Sequence, residues 1–84
     1  MTTDSVNRYD APRLVFKRVS NTKYMYEVGM AFYPGCFTPT GLREDHIVPI
    51  VEWCQQNNCG RRTAYNMFQF RNAKQVTMFL LRWS

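Results

Sequence analysis

The sequence predicts an α+β domain: a small antiparallel sheet packed against one or two helices, in the order β-β-α-β-α, with a closing β-strand as an option. Three observations lead there. Tyr24, Tyr26, Val28, Met30 and Phe32 alternate with Glu27, Gly29 and Ala31, the period of two that marks a half-buried strand. Ile47, Ile50, Val51 and Cys54 then recur at the spacing of one helical face. Between these segments, Pro34, Gly35, Pro39 and Gly41 interrupt any regular backbone.

Taken in order, residues 1–12 lack periodicity and end at Pro12, so they read as a flexible arm before a single domain over 13–84. Arg13 to Val19 is rich in strand formers. Ser20-Asn21-Thr22-Lys23 is turn chemistry, and Tyr24 to Tyr33 completes a β-hairpin. The helix that follows takes Asp45 as its expected N-cap, and Pro49 fits only within the first turn, where a missing N–H costs little. Asn57-Asn58-Cys59-Gly60 stops it, with Gly60 suited to a left-handed conformation. Arg62 to Phe70 reads as one strand, with Ala64, Phe68 and Phe70 inward and Tyr65, Met67 and Gln69 on the opposite face. Asn72 and Gln75 have the spacing of a capping box for a last helix, which Ala73, Val76, Phe79 and Leu80 would stripe. Residues 80–83 suit either its continuation or a closing strand.

At 84 residues the chain suits one core and no second domain. Such a chain buries only about 60–65% of its unfolded surface, so the 15% of aromatic residues matters for stability. Self-association as a homodimer would also relieve a small core. No run approaches the ~20 apolar residues of a membrane span, and residues 1–10 lack a signal-type apolar stretch. Three cysteines cannot all pair within one chain, so a cytoplasmic, reducing location is expected.

The net charge of +5 is unevenly placed. Residues 1–52 hold six basic residues and all six acids, whereas residues 53–84 hold Arg61, Arg62, Arg71, Lys74 and Arg82 with no acid. A one-signed region attracts polyanions or acidic protein surfaces.

Catalytic chemistry is harder to assemble. Cys36, His46, Cys54 and Cys59 are the soft ligands, but no pair has the C-x2-C spacing of a zinc knuckle, and Cys54 falls on the core side of its helix. Cys36 or Cys59 with His46 would need an orienting third group that nothing in the sequence identifies. Glu44, Asp45 and Glu52 sit where acids complement a helix dipole. Gly60-Arg61-Arg62-Thr63 follows a helix rather than opening one, so it is no phosphate loop. The expectation is a non-catalytic binding protein without metal or cofactor.

Two contact sets follow. Arg61, Arg62, Tyr65, Gln69, Arg71 and Lys74 would bind nucleic acid or another acidic partner, rings stacking beside arginines that hold phosphates. Alternatively, the loop 33–40, with Tyr33 and Phe37, or a sheet edge would present contacts to a protein, as an inhibitor or adaptor of a host enzyme.

Arg62 to Phe70 with the helix after it resembles the third strand and second helix of RNA-recognition-motif domains, though Ala64 stands where that motif has glycine and Met67 where it has an aromatic. More broadly, the run from Trp53-Cys54 through Phe68-Gln69-Phe70 to Phe79-Leu80-Leu81-Arg82-Trp83 is similar to small uncharacterised accessory proteins of tailed bacteriophages. That resemblance implies a phage protein acting in the host bacterial cytoplasm on a host or phage macromolecule.

Overall fold

The computed structural model describes residues 9–84; the first eight residues of the expected N-terminal arm lie outside them. Six elements follow in order: β1 (Arg13–Arg18), β2 (Tyr24–Ala31), α1 (Glu44–Gln56), β3 (Arg61–Ala64), β4 (Met67–Phe70) and α2 (Ala73–Trp83). All strand pairs are antiparallel, in the sheet order β1-β2-β4-β3. This is the predicted α+β architecture with its N-terminal hairpin.

The β1–β2 turn forms because Ser20 Oγ accepts from the N–H groups of Thr22 and Lys23, at 3.2 and 3.0 Å. A serine that captures these donors offers the chain an alternative to further ladder. β2 is one of the two inner strands. Its first half pairs with β4, and beyond Glu27 its free edge is taken by other groups. The Val28 N–H donates to Asn66 O at 2.8 Å, and Met30 exchanges bonds with Thr38 at 2.7 and 3.0 Å. Just outside the strand ends, the Tyr9 N–H donates to Phe32 O at 3.1 Å.

Val28, Met30, Phe68 and Phe70 share one sheet face and pack in a single core with Ile47, Ile50 and Cys54 of α1 and Val76 and Phe79 of α2. Phe79 is its hub. Its fully buried ring lies 4.7 Å from Phe70, 5.1 Å from Phe16 and 6.0 Å from Phe68 between centroids. Separations in this range give aromatic pairs attraction beyond simple area burial. On the opposite face the ring of Phe37 lies over Gly29, so closely that a β-carbon there would fall 2.7 Å from it.

Several local expectations change. The segment Arg62 to Phe70 is a hairpin, with Tyr65-Asn66 as its turn, and Ala64 is exposed rather than inward. Neither turn residue takes positive φ, and the β3–β4 pairing shifts register between Arg62 and Ala64. The turn is held from outside the hairpin, since Asn66 Nδ2 donates to Val28 O at 2.9 Å.

Arg43, not Asp45, is the N-cap of α1. The Arg43 N–H donates to His46 Nδ1 at 3.0 Å, so an imidazole three residues on supplies the reach-back half of a capping box. Pro49 is consequently the sixth helical residue, past the first turn, and the helix continues through it without the i→i−4 bond its missing N–H would have made.

At α2 the expected Asn72 cap is present, its Oδ1 accepting from the Gln75 N–H at 3.0 Å, but the Gln75 side chain reaches back to the Arg71 N–H rather than to that of Asn72, so the box is not closed. Residues 80–83 continue this helix and form no closing strand. Among the described residues, no helix is long and apolar enough to cross a membrane.

Candidate nucleic-acid interface

The strand order brings the start of β2, the end of β4 and the start of β3 to one end of the sheet, because Tyr24 pairs with Phe70 and Arg61 with Gln69. Three chain junctions therefore meet there, and each delivers one cation. Lys23 comes from the β1–β2 turn, Arg61 from the first residue of β3 after the α1–β3 connection, and Arg71 from the β4–α2 connection. They surround a half-open pocket of about 680 Å³, within the range of small-molecule sites. Among the described residues no Asp or Glu lines it, and none of these three cations has an ion-pair partner.

The rim is braced from within. Gln75 Oε1 accepts from the Arg71 N–H at 2.9 Å, while its Nε2 donates to Asn58 O at 3.3 Å, tying two of the junctions together. Cys59 Sγ donates to Gln75 O at 3.3 Å from the buried side. The third junction is braced by Arg18, whose guanidinium donates to Ser20 O at 2.9 Å and lies 5.0 Å from the Tyr24 ring. Gly60 allows the close passage between Asn58 and Arg61. Its φ is +83°, and a β-carbon would fall 2.4 Å from the Phe70 ring.

Of the contact set expected from sequence, Arg61, Gln69 and Arg71 come together at this pocket. Arg62 does not. Its guanidinium forms a two-pronged pair with Glu44, both bonds 2.8 Å, and Nε donates to Tyr65 O at 2.9 Å. Hydrogen bonding from Arg62, assisted by its charge and opposed by slight desolvation, holds the Glu44 carboxyl below its ordinary pKa. Tyr65 sits at the hairpin turn, half exposed, with its hydroxyl donating to Leu42 O at 3.3 Å and Arg62 beside its ring. Lys74 is exposed on the first turn of α2 and does not line the pocket.

In the loop 33–40, Tyr33 is half exposed, but the Phe37 ring packs against Gly29 with Lys17 Nζ 5.3 Å from its centroid.

The sequence reading missed Lys23, Asn58 and Gln75. Lys23 lies in the electrically balanced half of the chain, and no local signal sets it apart; only the turn chemistry around Ser20 marks where it is presented.

The thiols are separated in role. Cys54 and Cys59 are buried, and burial, together with the neighbouring Cys59, pushes the Cys54 thiol up to about 12. Burial raises Cys59 as well. Cys36 Sγ points to Met30 O, and His46 Nδ1 is occupied by the α1 cap.

Fold and site together define a small α+β protein with a cationic pocket at one end of its sheet. Compared with family models, curated proteins and solved structures, the chain matches none of them.

Proposed function

We propose that this chain is a small non-catalytic protein that binds nucleic acid through the pocket framed by Lys23, Arg61 and Arg71. The observation that supports this reading is the convergence of three unpaired cations, from three separate junctions, on a concavity that no described carboxylate lines. Cations without competing acids attract phosphate and release its counterions on contact. Arginine also offers a planar fork that matches phosphate oxygens. A non-catalytic role agrees with the separate engagement of Cys36 and His46 in backbone contacts. On the resemblance read from the sequence alone, the proposed setting is a phage accessory protein acting in the bacterial cytoplasm.

The test is the salt dependence of single-strand binding. Three phosphate contacts imply a slope of about −2 in log K against log salt, hence a loss of about 15- to 20-fold between ~50 and ~200 mM. Binding that is absent at low salt, or unchanged across this range, overturns the reading.

A further inference from the structure

The charge and size of the pocket reach further than nucleic acid as a class, and the step rests on that reading. Lys23, Arg61 and Arg71 place three positive charges around about 680 Å³, and no described acid offsets them. A phosphodiester within a strand carries one negative charge, so a strand passing through and leaving one or two linkages in so small a space undercompensates the site. A phosphomonoester carries about −1.5 to −2 at neutral pH and presents three acceptor oxygens. With the first diester beside it, it approaches −3, matching the three cations.

The donor geometry agrees. Arg61 and Arg71 approach from different junctions and can each offer a fork to a different pair of oxygens, which a terminal phosphate has and a linking phosphate largely lacks. Lys23 adds a compact third charge from the β1–β2 turn. Gln75 ties the Arg71 and Asn58 backbones together, so the junctions from which Arg71 and Arg61 extend keep a set spacing before any ligand arrives. A cavity of this size suits a ligand of small-molecule dimensions, so a duplex end would have to open before entering. Ring surface in the pocket is limited. Phe70 is almost fully buried and Tyr24 is half-buried under Arg18, so recognition falls on the phosphates rather than on base identity.

We propose that this pocket receives the phosphorylated end of a single nucleic-acid strand.

The test uses the full chain and an oligothymidylate of about ten nucleotides, labelled at one end and bearing either a phosphate or a hydroxyl at the other, in both polarities, at low salt. For at least one polarity, fluorescence anisotropy should show the phosphorylated form binding about tenfold tighter, the gain expected from added charge-assisted contacts. Arg71→Ala and Lys23→Ala should each shrink that preference, and the Arg61→Ala/Arg71→Ala double variant should remove it. Arg82→Ala, at the far end of α2, should leave it intact. Circular dichroism confirms that each variant is folded.

Equal, tight and salt-sensitive binding of phosphate and hydroxyl ends overturns end recognition and leaves nucleic-acid binding standing. A mononucleotide monophosphate that competes as well as the phosphorylated oligonucleotide also overturns it, because the strand then contributes nothing. Failure of every oligonucleotide to bind at low salt removes both proposals.

Discussion

Gly60 passes beneath Phe70 so closely that a β-carbon would lie 2.4 Å from two atoms of the ring, and it does so at a φ of +83°. Phe70 is a core residue packed on Phe79, so its ring has little room to retreat. Gly60→Ala therefore combines left-handed strain with a clash against a fixed ring and should destabilise the fold by about 2–4 kcal/mol in urea unfolding. Gly35 is the control: its φ is +86° but nothing lies within 4 Å, so Gly35→Ala should cost only about 1–2 kcal/mol.

The pair between Arg62 and Glu44 makes stability depend on acid. Glu44 has a lowered pKa in the folded state because of hydrogen bonding from Arg62, so its contribution is present above the ordinary carboxylate range. That contribution fades as pH falls through the folded value. Melting temperature should fall as pH drops below about 4.5, and Glu44→Gln should flatten part of that fall while lowering stability at pH 7.

Arg62→Ala and Arg71→Ala should separate folding from binding. Arg62 is committed to Glu44 and the Tyr65 turn, so its loss should lower the melting temperature and leave the salt slope of oligonucleotide binding unchanged. Arg71 has no ion-pair partner among the described residues, so its loss should leave melting nearly unchanged and reduce the slope by about 0.7.

Thiol reactivity should divide in the same way. Cys54 and Cys59 are buried with raised pKa values, whereas Cys36 is partly accessible. A disulfide reagent at mildly alkaline pH should modify Cys36 first, and Cys54 and Cys59 only after denaturant is added.

Phe79→Ala removes the ring shared by Phe16, Phe68, Phe70 and Trp53. The expected loss is about 3–5 kcal/mol, enough to abolish the cooperative transition of so small a domain. Phe79→Leu should retain a measurable unfolding curve.

What the sequence alone determined was most of what near neighbours set, the Arg43–His46 cap of α1 being the exception. The alternation from Tyr24 onward, the helical face of Ile47, Ile50 and Cys54, the Ser20 turn and the Asn72 cap each depend on residues two to four positions apart. The Tyr65-Asn66 turn was not legible, since it contains neither glycine nor proline and is held by Asn66 bonding to Val28 across the sheet.

The site was decided only in three dimensions. The acid-free tail placed Arg61, Arg62 and Arg71 on one footing, yet folding pairs Arg62 with Glu44 and recruits Lys23 from the electrically balanced half. The physical reason is range. Backbone periodicity is a matter of adjacent turns and ladders, whereas unpaired charge depends on which distant side chains the strand order β1-β2-β4-β3 brings to the same end of the sheet.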